Sequence, residues 1–163
     1  MPVRPPKSKN VSGIILLNGT LDDSQLQSVG GRERLWVPAA TSFLRMMAKA
    51  KEEGINYSLS DTYRLCGEPG DGERYIDGKS DFTQWAAWDG YQSKLKNPNN
   101  PRYSRFNLAA DPTNGCKSNH GFGLAIDIKS GSGGKRDANN QDPTQAWITK
   151  NGEDYGWVWT GRG

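Results

Sequence analysis

Histidine is almost missing from this chain: His120 is the only one in 163 residues, and there are only two cysteines, Cys66 and Cys116. The cysteines do not form a C-x-x-C pair, which excludes a zinc ribbon and a thioredoxin-type redox motif. They are either one disulfide in an oxidising compartment or two inert thiols. Long apolar runs are missing too. Nothing approaches the roughly 20 residues of a membrane span, and Ile14–Leu17 is too short for the apolar core of a secretory signal. A membrane is therefore not expected as a partner, nor is Sec-type export. Charge of one sign is scarce, with a formal net charge of +3. A mildly basic balance helps approach to any polyanion, but it also describes an ordinary solvated surface. No Lys/Arg cluster alternates with aromatics, so nucleic acid is not an expected partner. Hydrophobic residues make up only 34% of the chain, which is low for a compact enzyme, yet six tryptophans argue against wholesale disorder.

What is abundant is turn chemistry. Twenty glycines and nine prolines, with many Asn, Asp and Ser, point to a loop-rich α+β fold. The length suits one domain with its own core rather than two. Residues 1–10 (MPVRPPKSKN) are basic and proline-rich and read as an extended arm, leaving 11–163 as the domain. Val11–Leu17 is a candidate strand, Asn18-Gly19 a turn, and Leu21, Leu26 and Val29 a short helical or irregular segment closed by Gly30-Gly31. A helix is expected from Pro38 to Glu53, since Pro suits the start and Gly54 the left-handed residue past the end. Ala39, Phe43, Met46, Met47 and Ala50 recur on its core-facing side.

Ile55–Asp61 alternates, with Ile55, Tyr57 and Leu59 on one face, and reads as a half-buried strand that delivers Asp61, Thr62, Tyr63 and Arg64 at its end. Asp81–Lys96 is a second helix, with Phe82, Trp85 and Trp88 on one side and Gly90 as a weak point. Asn97–Pro101 breaks it. Gly67–Lys79 is irregular. Leu124–Ile128 alternates as a strand, followed by a flexible loop at Ser130–Gly134. A third helix begins near Pro143, with Asp142 as N-cap, Gln145 completing a capping box and Gly152 as a stop. Tyr155–Trp159 is the last apolar element.

The chemistry concentrates in Ser118–Ile128 (SNHGFGLAIDI). His120 enters from a glycine-rich bend just before the strand that carries Asp127. A carboxylate on an apolar strand is costly to bury unless neutralised, and a cation is the most effective neutraliser. Imidazole and carboxylate are zinc-compatible donors. A buried His–Asp hydrogen bond without metal fits the same residues equally well.

Ser118-x-His120-x-x-Gly123-x-Ala125-x-Asp127 resembles in full the S-x-H-x-x-G-x-A-x-D signature of VanY-type D-alanyl-D-alanine carboxypeptidases and their phage endopeptidase relatives, within the wider zinc-peptidase group that includes lysostaphin. The surroundings are similar as well: a helix, a strand and Tyr63-Arg64, then Gln84-Trp85-Ala86-Ala87 in a following helix, then Trp147–Trp157 (WITKNGEDYGW). The similarity spans roughly residues 25 to 160. It implies a single α+β domain, a small antiparallel sheet flanked by helices, and zinc held by His120 and Asp127. It further implies that Arg64 neutralises an anionic group of the substrate or transition state and that Ser118 supports the site through hydrogen bonds. The implied reaction is amide hydrolysis of a peptidoglycan peptide, in which zinc polarises the carbonyl and lowers a water's pKa to about 7, while a carboxylate carries the proton. Cys66 and Cys116 each lie within four residues of Arg64 or His120, which favours a bridge between them.

Related enzymes supply a third ligand, a histidine, and a general base from an E-x-W-H-like motif after the Y-G-W segment. This chain reaches Thr160–Gly163 there and holds no second histidine. Glu153 and Asp154 precede Tyr155-Gly156-Trp157 and do not fit the base position. The expectation is weak zinc binding and little hydrolysis by these residues alone. Action on cell wall without a Sec signal implies release by lysis or delivery on a phage particle. A non-catalytic wall-binding or virion component, docked to tail or capsid proteins, is the alternative on the same fold, and a metal-free soluble domain the third.

Overall fold

The computed structural model describes residues 6–70, 73–76, 79–104, 106, 108–130 and 135–160. The fold is α+β, with three helices and short antiparallel strands. Residues 1–5 of the expected arm, 131–134 of the expected loop and the last three residues lie outside the described residues.

Two compact units divide the chain. The first takes Met1–Asp23 and Tyr63–Ala125. It opens with a hairpin of β1 (Ser8–Val11) and β2 (Ile14–Leu17). The single strand expected over Val11–Leu17 is thus interrupted at Ser12-Gly13, where both residues take positive φ. Serine hid this turn, because only Gly, Asn and Asp adopt that conformation readily. Lys9 and Asn10 of the expected arm are paired strand residues, and the Lys7 N–H donates to the Cys116 carbonyl at 3.0 Å. The strand β6 (Glu73–Ile76), in the stretch read as irregular, pairs with β7 (Lys79–Phe82), which takes Asp81 and Phe82 from the start of the expected helix.

The first unit's helix, α2 (Gln84–Lys96), starts three residues later than expected. Its start is set by Thr83, whose hydroxyl accepts the Ala86 N–H, an N-cap that satisfies an otherwise orphaned donor. Gly90 is no weak point. The ring of Phe106 lies where a side chain would stand, 2.3 Å from an added Cβ, and Lys94 secures that loop by donating to the Ser104 and Phe106 carbonyls at 3.0 and 2.7 Å. A disulfide joins Cys66 to Cys116, with a Cα–Cα distance of 5.7 Å.

The second unit takes Ser24–Thr62 and Ile126–Gly163. The segment read as helical or irregular around Leu26 and Val29 is instead a hairpin of β3 (Leu26–Gly30) and β4 (Glu33–Trp36), turned by Gly30 and Gly31 at positive φ. The helix α1 (Val37–Glu52) follows directly. Ala40, Phe43, Met46, Met47 and Ala50 are its buried residues, with Ala39 only partly covered. Gly54, at φ +78°, ends it as expected.

Beyond α1, β5 (Tyr57–Asp61) pairs antiparallel with β8 (Asp127–Ser130), and Ile55, Tyr57, Leu59 and Ile128 pack against the α1 core. Phe43 meets Tyr57 and Trp157 edge to face at 6.3 and 5.7 Å. Burial there pushes the Tyr57 hydroxyl pKa up. The helix α3 (Pro143–Asn151) carries the full Asp142/Gln145 capping box and sends Trp147 and Ile148 into the same core. Gly152 does not stop the chain's helical path. It opens a 3-10 turn to Tyr155, after which Gly156 at φ +79° ends it.

Candidate metal centre

In the second unit, Asp61 and Asp127 stand opposite each other where β5 pairs with β8. Plain alternation would put Asp61 on the face of Leu59 and Asp127 on the other. The register slips between Leu59 and Asp61, leaving Ser60 as an extra residue. A bulge of this kind re-aims the side chain that follows it, and here it brings two carboxylates opposite each other. The Ser60 hydroxyl donates to the Asp127 carbonyl at 3.2 Å and fastens the bulge to β8. Asp61 Oδ1 accepts the N–H of Thr62 at 3.0 Å. The Thr62 hydroxyl donates to Glu33 at 2.6 Å and accepts the Arg34 N–H at 3.0 Å, so the end of β5 is tied to β4.

In the first unit, His120 sits on a 3-10 turn, Asn119–Phe122. Ser118 is its N-cap: the hydroxyl accepts the His120 N–H at 3.3 Å. Gly123, at φ +65°, closes the turn by donating to the His120 carbonyl at 3.1 Å. The Arg64 N–H donates to the same carbonyl at 3.2 Å, which binds the Tyr63-Arg64 segment to the histidine turn. Tyr63 is fixed in turn, its hydroxyl accepting the Leu21 N–H at 2.9 Å.

Among the described residues, Asp61, His120 and Asp127 each offer one ligand atom, and these atoms all lie within 4.8 Å of one another. The sequence-named residues are therefore placed as follows: His120 and Asp127 share this cluster, with Asp127 exposed rather than buried as its apolar strand suggested, Ser118 holds the turn, and Arg64 is joined to His120 through the backbone. Asp61 is the member that sequence reasoning did not name as a ligand. Its only signal was its position at the end of an alternating strand just before Tyr63-Arg64. One imidazole and two carboxylates form a donor set suited to a divalent cation such as zinc.

No protein-family model matches the chain, and no curated protein matches it. Among solved structures it is similar to the LdcB LD-carboxypeptidase, a structure described as revealing the molecular basis of peptidoglycan recognition. The TM-score is 0.53 at 18% sequence identity, covering 94% of this chain and 73% of that one. At that identity the likeness speaks for the fold alone.

Proposed function

We propose that this chain is a metal-dependent peptidase of bacterial cell-wall peptides, with Asp61, His120 and Asp127 as the protein ligands of a zinc ion. The observation that carries the reading is the pairing of Asp61 with Asp127 across the β5–β8 ladder. Like charges directly opposite one another destabilise a sheet, and a divalent cation shared with the nearby imidazole turns that repulsion into attraction. Three protein donors are the number that a catalytic zinc commonly takes, whereas a structural zinc commonly takes four.

When bound, zinc supplies Lewis-acid chemistry: it polarises a peptide carbonyl and eases the ionisation of a water. The chain's own residues do the rest of the positioning. Arg64 carries a charge that does not titrate and a planar fork of donors. It would take the terminal carboxylate of a stem peptide, or the negative charge that develops on the carbonyl oxygen. Ser118 holds the turn on which His120 is presented. The fold likeness to a peptidoglycan carboxypeptidase supports a peptidoglycan peptide as substrate. A disulfide belongs to oxidising compartments, which accords with action outside the cytoplasm, and among the described residues no helix is long and apolar enough to cross a membrane. The phage endopeptidase relatives named by the motif extend the proposal to a phage enzyme of lysis or entry.

The test is to strip the protein with a chelator, reload it with zinc, and follow purified muropeptides by mass spectrometry. One zinc per chain is expected, with loss of a D-alanine or opening of a cross-link only in the loaded protein. His120→Ala and Asp61→Asn should each remove both zinc and turnover. Wild-type protein that takes up no stoichiometric zinc, or Asp61→Asn that retains it, would sink the assignment.

A further inference from the structure

The turn that presents His120 is held from outside by a side chain with no place in the motif. Asn18 is completely buried, at 0% exposure, directly after β2. Its carboxamide Nδ2 donates to the Ser118 carbonyl at 2.7 Å, across a hundred residues of sequence. Its Oδ1 accepts from Gln84 Nε2, also at 2.7 Å. Gln84 completes the ring, its Oε1 accepting the Ser118 N–H at 3.3 Å while Nε2 also reaches the Arg64 carbonyl at 3.4 Å. Both backbone groups of Ser118 are therefore held by two side-chain amides that also bond each other.

The hold extends beyond Ser118. The Gly19 N–H donates to the Gly121 carbonyl at 2.6 Å. Gly121 itself lies so close that a Cβ there would stand 2.0 Å from Asn18 Oδ1 and 2.3 Å from Gln84 Nε2. Asn18 is secured in its turn, since its own N–H donates to the Lys7 carbonyl at 2.9 Å. A buried polar network with its members satisfied rigidifies what it touches, because each broken bond strands a polar group away from water. This one touches Ser118 and Gly121 on either side of His120, and Arg64 through its carbonyl.

We infer that Asn18 is a positioning residue: its carboxamide, with Gln84, fixes the turn from which His120 reaches the metal. The inference rests on the reading of His120 as a ligand, but the hold on the turn is measurable without any metal. Partners that orient a ligand commonly change metal affinity by about 10–100-fold when removed. The effect should be local, because every bond in the network falls within one unit.

The experiment compares wild type with Asn18→Ala, and with Asn18→Asp, which keeps the volume and the acceptor for Gln84 should the alanine variant fail to fold. Amide hydrogen exchange is recorded on metal-free protein, then zinc affinity by competition with a chelating dye. The expected result is exchange faster by about tenfold or more at Gly121, Gly123 and Leu124, with α1 unchanged, and zinc affinity lower by about 10–100-fold. Thr144→Val serves as the structural control, since Thr144 is equally buried and donates to the Asn56 carbonyl in the second unit. It should leave zinc affinity and the turn's exchange untouched. Unchanged exchange at the turn, or acceleration spread evenly through α1 and α3 as well, overturns the positioning role. Wild-type protein that binds no zinc while the turn's exchange responds to Asn18 overturns the metal reading instead and leaves the clamp standing.

Discussion

A single methyl group is the sharpest probe at the scale of residues. Gly121→Ala would drive a Cβ to 2.0 Å from Asn18 Oδ1 and 2.6 Å from its Cγ. Neither amide there can swing aside as a surface side chain would, since Asn18 and Gln84 are both buried and bonded to each other. Overpacking of a tight interior costs about 1–3 kcal/mol, and displacing the amides adds broken buried hydrogen bonds. Gly54→Ala makes a useful contrast. Nothing stands within 4 Å of its missing Cβ, so its penalty is only the left-handed φ, roughly 1–2 kcal/mol. Denaturant unfolding should rank Gly121→Ala as the more costly change, and zinc affinity should fall for it alone. Equal zinc affinity in the two variants would mean that the turn tolerates displacement, and the crowding at Gly121 would then carry no functional weight.

Elements differ in how plainly the sequence announces them, and α3 stands at the legible end. Asp142, Pro143 and Gln145 form a local code that needs no tertiary partner, and the capping box is present as read. Asp142→Ala should cost about 0.5–2 kcal/mol, measured by thermal or denaturant unfolding. The loss should register in the second unit, because α3 places Trp147 and Ile148 in its core. No loss would mean that core packing alone sets the helix start. Helix α1 was legible for a similar reason, its apolar positions and its Pro and Gly boundaries agreeing. The β3–β4 hairpin was not, because Leu26 and Val29 fit a helical stripe as well as a strand and only pairing decides between them. The bulge at Ser60 had no signal either. Period-two alternation sends Asp61 to the wrong face. His120, Asp127, Ser118 and Arg64 could be named from sequence resemblance, whereas the ligand role proposed for Asp61 depends on a register that emerges only when β5 meets β8.

At the scale of the whole molecule, the two units are held by different means. The second buries Leu35, Phe43, Met46 and Met47 almost completely around α1. Among the described residues of the first, the side chains buried to that degree are Leu16, Asn18 and Cys116, so an amide and a half-cystine stand where a core would place hydrocarbon. The Cys66–Cys116 bridge spans 50 residues. A loop of that length is worth about 4 kcal/mol in the chain-entropy account of disulfide stabilisation. Reduction should therefore fall on the first unit, with α2 losing amide-exchange protection while α1 keeps it. The bridge also has a bearing on the metal. Cys66 follows Arg64 by two residues, and Cys116 precedes the Ser118 cap by two. The Cys66 N–H donates to the Gly19 carbonyl at 3.2 Å, next to Asn18. Loosening that corner should relax the turn under His120, so reduced protein, or the Cys66→Ala/Cys116→Ala double variant, should bind zinc more weakly than the bridged form. If reduction left α2 protected and zinc affinity intact, the amide network alone would suffice to hold the turn. If α1 lost protection together with α2, the two units would unfold as one cooperative body, and the bridge would stabilise the molecule as a whole rather than its first unit.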